Sequence, residues 1–521
     1  MNSWLPVMRA ADVKASDVAS VQAGLPFLTL MEAAGRSVAQ AVHDLHGGTG
    51  SVVVLTGGGA NGGDGLVAAR WLRLLGWRVS VLEAERARGP AGVMRDQAIA
   101  VGAPIGAATP QALRAAGADI ILDALYGVGF HFPLSPAHAA MIAAVNETRP
   151  RTRVISVDLP SGLAADAVAP VGEHVRADDT IALCALKPAH LFGAARAACG
   201  RVWLAGAGQP DNVTWSHAAA RVATLPGLAA WLPVRRRDAH KGLAGRVGIL
   251  GGLARYPGAP ALAALGAVHG GAGVVTVVSV PGGGLQAPVE AIRHEISDWR
   301  AANLDFLRAK PFEAFAAGMG CGPLDPGALR ALTQAPMPGV LDADALQPEL
   351  YKQPLGGPRV FTPHPGEAAR LLGVEVAAIT GDPIDAAHQI GERFGVTVVL
   401  KGGPSVITAP GELPVVNPTG NPGMAAGGMG DVLAGLMAAI MAGKNATASG
   451  EVLGAFQAAC LAVTLHGLAG DLLAAETGPL LSASALAGQL PAAWAALQAG
   501  RAIGPALAVD LRFTSRALTG A

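Results

Sequence analysis

Cysteine is scarce in this chain: four in 521 residues, at positions 184, 199, 321 and 460, with no CxxC pair among them. Disulfide frameworks and structural zinc sites need closely spaced cysteines, so the spacing argues against both and fits a reducing, cytoplasmic compartment. An excess of either charge is missing too. Lys+Arg and Asp+Glu stand at 38 each, and the pI is near 7.2. Nucleic acid and anionic membranes are held by clustered basic side chains that release counterions, so neither is expected as a partner. The one dense basic spot, "RRRD" at 235–238, reads as a solvated linker edge. The opening "MNSWLPVMRAADVKASD" lacks the basic start and apolar core of a signal peptide. Residues 258–280 carry no lysine, arginine or acidic residue and are long enough to cross a bilayer, but "HGGAG" breaks them. A buried small-residue helix followed by a β-branched strand is predicted there.

Apolar residues, by contrast, are plentiful at 51%, ample for large cores. Five β-branched segments of the first half, "SVVVLT" (51–56), "WRVSVLE" (77–83), "DIILDAL" (119–125), "RVISVDL" (153–159) and "DTIALCAL" (179–186), alternate with helical candidates such as Leu66–Leu75 and His138–Glu147. That rhythm predicts a parallel sheet covered on both faces. It fades after "RVWLAGAG" (201–208), and the stretch from Gln209 to Gly242 reads as a linker and lead-in. A second rhythm starts at "GRVGILGG" (245–252) and runs through "GVVTVVSV", "FEAFAAGMG", "GVLDADAL", "RVFTPHPGE" and "VTVVLKGG". Two α/β domains are expected, at 1–215 and 226–515. Ligands belong at the C-terminal strand ends of such sheets. The many Ala-rich apolar helices also suggest a homo-oligomer.

Chemistry concentrates first in "NPTGNPGMAAGGMGDVLAGL" (417–436), where glycines precede Asp431 and a greasy helical run. A helix N-terminus offers unpaired N–H groups and partial positive charge to a phosphate, and glycine lets the backbone come close. Asp431 beside Gly428–Gly430 can take a proton from a substrate hydroxyl as a phosphoryl group arrives. Taken alone, such an aspartate is more often a partner of the helix dipole. It is not alone. "HKGLAGRVGILGG", "YPGAP", "GMGCGP", "LDADAL", "TPHPGEAARLL" and "LKGGPSVIT" precede it in order from about 240.

With those motifs the second half resembles the ribokinase-like superfamily and, within it, the ADP-dependent NAD(P)H-hydrate dehydratases. The resemblance implies a scaffold that phosphorylates the hydroxyl of a hydrated nicotinamide ring, turning a poor leaving group into phosphate. It makes Asp431 the base. It places His364, Ala259, Gly320 and Gly322 around the hydrate. The nucleotide falls to Lys401, Gly402, Gly403, Pro404, Ser405 and Gly430, with ADP as co-substrate and Mg²⁺. From the residues alone, His364 between prolines can cap a turn, Lys401 can simply reach solvent, and Asp342 and Asp344 suit Mg²⁺ or a turn equally. Met319 and Cys321 fill the variable positions of a glycine turn that commonly reads GPGLG in that family.

"GGGANGGDG" (57–65) does for the first half what the glycine loop does for the second, lying between a strand and a helix. With "LMEAAG", "ILDALYGVGF" and "VDLPSGL" it resembles the NAD(P)H-hydrate epimerase domain, over about residues 9–208. The resemblance puts K⁺ among Asn61, Asp123 and Ser161, an oxygen-only set suited to a hard cation. It lines the substrate with Ala60, Asn61, Gly62, Gly63 and Asp64, and its phosphates with Gly127, Val128, Gly129, Phe130, His131, Phe132 and Pro133. Asp158 would face the ring as acid/base between the R and S hydrates. Ala60 replaces the usual first Asn, the loss of a hydrogen bond of about 1 kcal/mol, and His131 and Phe132 bulk out the phosphate loop. Two other readings stand beside this one. The second half can be an ordinary small-molecule kinase, for a vitamin alcohol, and the first a non-catalytic interaction module like those in RNA-decapping scaffolds.

Overall fold

The computed structural model describes residues 4–235, 237–500 and 509–510. The chain divides into two compact units, the first at 5–220 joined by Val509–Asp510, the second at 221–500. An end for the second domain at 515 lies outside the described residues.

In the first unit the sheet is wholly parallel. Across it run Val509–Asp510, Arg201–Ala205, Asp179–Leu183, Arg153–Val157, Ile120–Ala124, Ser51–Thr56, Arg78–Glu83 and Ile105–Ala107. Side chains alternate across the sheet, and both faces are buried. Val52, Val54, Ile120, Leu122, Ile155 and Val157 pack with the helices Phe27–His46 and Ala60–Leu74. Their neighbours Val53, Leu55, Ile121 and Val154 pack under Pro136–Thr148. Strand order reverses between Ser51–Thr56 and Ile120–Ala124, which opens a crevice at their C-terminal ends.

Sheet order in the second unit runs through Ala220–Ala223, Val415–Val416, Val406–Thr408, Thr397–Leu400, Arg359–Phe361, Gly339–Leu341, Ala314–Ala317, Arg246–Leu250, Val274–Ser279 and Ala291–Glu295. It is parallel except where Val406–Thr408 meets its two neighbours. One face is covered by the helices Gly258–His269, Met429–Ala442, Ala455–Thr477 and Ala483–Gln498. The uncharged 258–280 stretch is the helix Gly258–His269 and the strand Val274–Ser279, as its composition predicts. Its small residues have a packing role. A Cβ at Gly435 would lie 1.8 Å from the Ala263 carbonyl oxygen, and one at Gly266 would lie 2.1 Å from that of Val432. The two helices therefore meet backbone to backbone. The helix Ala455–Thr477 has the length and apolarity to cross a membrane, yet most of it is buried inside the unit.

Two readings need correction. The 209–242 stretch is more than a linker: it holds the helix Asp211–Ser216, the strand Ala220–Ala223 and the helix Leu225–Ala229. Arg221 and Val222 pair in parallel with Val415 and Val416. Four residues with one β-branched side chain give no periodic signal, so this strand is set by its neighbour. The helix placed at Leu66 begins at Ala60, so "ANGGD" is its first turn and not a loop ahead of it.

Arg359 is almost fully buried, and burial pulls its pKa down to about 10. It donates to the carbonyls of Leu332, Thr333, Ala335, Met337 and Pro358, stitching the end of the Pro326–Gln334 helix to the sheet. Arg359→Met leaves these acceptors without a donor in a dry place. A loss of about 3–5 kcal/mol is expected, read from the urea unfolding of the second unit.

Candidate active sites

A cavity of about 360 Å³ opens at the crevice of the first unit. Gly57–Gly59 and the first turn of Ala60–Leu74 form one wall, and Leu125–Phe130 another. The glycines serve close approach: a Cβ at Gly62 would lie 2.0 Å from the Gly57 carbonyl oxygen. Ala60, Asn61, Asp64, Gly127, Val128, Gly129, Phe130 and Asp158 all line the cavity. Gly62 and Gly63 are buried behind it. His131, Phe132 and Pro133 are exposed and outside the lining. The Phe132 ring stands edge-on to Phe130, 5.1 Å away, and occupies the space above Gly172 instead.

Asp158 carries the strongest local signature. It follows the strand Arg153–Val157 with φ at 65°, a left-handed conformation rare outside glycine, asparagine and aspartate. Its surroundings hold it there. The Lys187 ammonium pairs with Oδ1, and the Leu183 N–H donates to the same oxygen at 3.2 Å. His190 Nε2 donates to the Asp158 carbonyl at 2.7 Å, its tautomer fixed by the Lys187 N–H donating to Nδ1 at 3.0 Å. Burial pulls His190 down to about 3, so it stays neutral. Oδ2 faces Gly127, 3.2 Å from where a Cβ would stand, with the Asn61 amide at 3.1 Å on the same spot. Only a glycine leaves that gap open.

Beneath the loop, Asp123 is fully buried at the end of Ile120–Ala124. Ser161 donates to it through Oγ at 2.6 Å and N–H at 2.9 Å, and Ser156 Oγ at 2.9 Å. Ser161 Oγ in turn accepts the Tyr126 N–H at 3.0 Å. Burial raises the Asp123 carboxyl, and these donors oppose the rise. Asp123 and Ser161 thus form one cluster, while the buried Asn61 Nδ2 finds no partner among the described residues.

Several cavity groups carry no sequence motif: Asp17 with Gln209, whose Nε2 donates to it at 2.5 Å, Lys187, and His138, the partner of Tyr126. They come from separate elements. Lys187 alone left a trace, as the first charge after an apolar strand end.

In the second unit Asp431 lies in the first turn of Met429–Ala442, whose N-cap, Gly428, has φ at 89°. Burial, then the nearby Asp342 carboxylate, raise Asp431 to about 7 against the opposing Lys401. Lys401 ends the strand Thr397–Leu400 and donates to Asp342 Oδ1 at 2.7 Å, with Glu367 at 3.8 Å. Burial works against the Lys401 charge, yet Asp342, Glu367 and Asp431 together raise its pKa. It does not reach for solvent. A Cβ at Gly430 would lie 3.2 Å from Lys401 Nζ and 3.6 Å from Asp342 Oδ2, so helix N-terminus, ammonium and carboxylate converge on one spot.

The surrounding turns are built by their own residues. Asp344 Oδ2 accepts the Gly322 N–H at 2.8 Å, so of the two aspartates it is the one that holds a turn. A Cβ at Gly320 would lie 3.0 Å from the Tyr256 Cβ and 3.5 Å from that of Ala259, which brings "GMGCG" against "YPGAP". His364 Nδ1 caps the helix Pro365–Leu372 by accepting from Gly366 and Glu367, and Glu367 returns a bond to the His364 N–H at 2.8 Å. Lys401 N–H donates to the Pro363 carbonyl at 2.8 Å, joining that turn to the Lys401–Ser405 turn. Gly402 N–H donates to Ser405 Oγ at 3.3 Å, which folds Gly403 and Pro404 outward between them. Glu367 and Asp471, whose carboxylate accepts from Gly420 N–H at 3.0 Å and Asn421 at 2.9 Å, were not foreseen as parts of the site.

Comparison with known proteins follows this geometry. A family profile described as NAD(P)H-hydrate dehydratase matches residues 247–492, and one described as YjeF-related protein N-terminus matches 28–189. The bifunctional NAD(P)H-hydrate repair enzyme of Escherichia coli is 34% identical over 486 residues, 90% of this chain and 89% of that protein. The enzyme so named from Thermofilum pendens is 34% identical over 95% of this chain and 97% of its own. Among solved structures, the ADP/ATP-dependent NAD(P)H-hydrate dehydratase of Bacillus subtilis is 32% identical, covering 53% of this chain and 97% of its own, with a TM-score of 0.48. Identity of this order across nine-tenths of the length, with both site architectures in place, makes this chain a member of the bifunctional NAD(P)H-hydrate repair enzyme family.

Proposed function

We propose that the chain repairs hydrated NAD(P)H: the first unit interconverts the R and S epimers, and the second dehydrates the S form at the expense of ADP, releasing NAD(P)H, AMP and phosphate. The observation that carries this is Asp431, a carboxyl raised to about 7 at a helix N-terminus beside an ammonium. At neutral pH such a group is a working base, since its proton affinity matches that of its surroundings.

In the second unit the first-turn amides of Met429–Ala442 hold the transferring phosphoryl group. Asp431 takes the proton of the ring hydroxyl as its oxygen bonds to phosphorus. The ring nitrogen's lone pair then expels phosphate to leave a carbon–nitrogen double bond, and loss of a proton to solvent from the neighbouring ring carbon restores the neutral ring of NAD(P)H. Lys401 offsets charge on the nucleotide phosphates. Asp342 Oδ2, open toward Gly430, fits one protein ligand of a Mg²⁺ otherwise held by phosphates, and that ion would neutralise charge on the phosphates.

In the first unit the oxygens of Asp123, Ser161 and the Asn61 amide would hold a monovalent cation such as K⁺, an oxygen-only set suited to a hard ion. Bound there, it would supply fixed positive charge near the substrate. Asn61, Asp64 and Asp158 border the ring, and Gly127 to Phe130 provide the backbone that approaches the phosphates.

Incubation with hydrated NADH, ADP and Mg²⁺ is the test. Absorbance at the reduced-nicotinamide band must return, and AMP and phosphate must appear in equal amounts. Absorbance that stays flat while an alcohol such as a vitamin is phosphorylated would assign the second unit to the kinases.

A further inference from the structure

The cavity of the first unit contains more ionisable groups than the reading above employs. Asp17 from the helix Ala10–Gln22, Asp64 from Ala60–Leu74 and Asp158 after Arg153–Val157 all line it, and among the described residues Lys187 is the only lysine or arginine that does. Tyr126, His138 and Glu85 are the other polar ionisable side chains on its walls, the first two paired with each other.

Lys187 is fully buried, and its ammonium holds two acceptors. Besides pairing with Asp158 Oδ1, its ammonium donates to the Leu183 carbonyl at 2.9 Å. Asp158 therefore keeps one oxygen fixed by two donors and turns the other toward the open gap at Gly127. Asp17 is taken by Gln209. The carboxyl of Asp64 has no hydrogen-bonding or ion-pair partner among the described residues, and it faces the same space.

Three carboxylates lie around one ammonium, and like charges at close quarters disfavour one another's ionisation. Burial, then the charges of Asp158 and Asp17, push Asp64 well above the usual carboxylate range against the opposing charge of Lys187. A carboxyl with a raised proton affinity and no partner, and one whose oxygen is fixed by an ammonium, are suited to opposite roles.

We propose that Asp64 is the proton donor of the R/S interconversion, Asp158 its proton acceptor, and Lys187 the positioning residue that assigns those roles. The inference rests on the epimerase reading of this unit. Asp64 gives its proton to the ring hydroxyl. The carbon–oxygen bond breaks as the ring nitrogen's lone pair forms a carbon–nitrogen double bond, and water leaves. A second water adds to the cationic carbon from the opposite face and passes a proton to Asp158 Oδ2. Asp64 regains its proton, and Asp158 loses one, by exchange with solvent. The cationic ring is formed among carboxylates, which stabilise it.

The full-length protein is tested with R-hydrate in ¹⁸O-water, without ADP. One solvent oxygen is expected per inversion. Asp64→Asn, nearly isosteric, is expected to lower kcat about hundredfold or more, and Lys187→Met about hundredfold with KM little changed. Lys187→Arg is expected to restore part of that loss, which a purely structural lesion would not grant. The parent rate should fall as pH rises past the usual carboxylate range, a limb missing from the residual rate of Asp64→Asn. Inversion without solvent oxygen, or Asp64→Asn or Lys187→Met at the parent kcat, would overturn the assignment while leaving the epimerase reading intact. Failure of the parent chain to interconvert the epimers would overturn both.

Discussion

Asp431→Asn is expected to stop the ADP-dependent return of NADH absorbance, lowering its rate by about a thousandfold, while the R/S interconversion proceeds at the parental rate. Asparagine keeps the shape and the helix start but cannot accept the hydroxyl proton. The pH dependence follows from the raised proton affinity. With Asp431 at about 7, the parent rate should climb through neutrality as the carboxylate forms, and the residual activity of the variant should not. The same shift has a consequence for stability. A carboxyl that binds its proton more tightly folded than unfolded adds stability below the unfolded value of 3.8, and loses it as pH rises through about 7. Asparagine has no charge to bury. The inactive variant is therefore expected to melt higher than the parent at pH 8 and close to it at pH 4. Equal melting temperatures at pH 8 would mean that the carboxylate is not strained by its surroundings.

Gly435→Val should have an effect of similar size on folding. The helix carrying Asp431 meets Gly258–His269 where the Gly435 Cβ position is 1.8 Å from a main-chain oxygen of Ala263, and a backbone atom cannot rotate aside. Inserting a branched side chain there forces the helices apart or bends one of them, at a cost of about 3 kcal/mol or more. One helical turn away, the Asp431 carboxyl would lose its register against Lys401. The measurement is the urea midpoint of the second unit together with both activities. Loss of dehydration with epimerisation retained is expected. A variant unfolding at the parental midpoint would show that the two helices are not as closely seated as described.

The parts of the sites that were legible in the sequence are those in which fold and chemistry share a short segment. "GGMGD" gives a helix start and its carboxylate within five residues, and "VDLPSGL" places Asp158 and Ser161 on one strand end. Asp123 and Ser161 meet because parallel neighbours align their C-terminal ends. What stayed hidden is what the sheet order brings together. Asp17, Lys187 and Gln209 come from three segments up to 192 residues distant from one another in sequence, and each is a single polar residue in unremarked surroundings. Glu367 sat inside a quoted motif, yet its approach to Lys401 needed the alignment of two strand ends. Residues 131–133, matched to a phosphate loop, lie exposed outside the cavity lining, with Phe132 packed on Phe130.

The left-handed backbone at Asp158 also leaves a mark on how this domain can age. Of the residues that settle comfortably at φ near 65°, asparagine and glycine are the chief substitutes for aspartate, and neither carries a negative charge. A lineage that stopped needing the isomerase would drift at this position toward those two and away from alanine or valine, which strain the turn. Retired copies would then keep the shape of the domain and show their retirement in one letter.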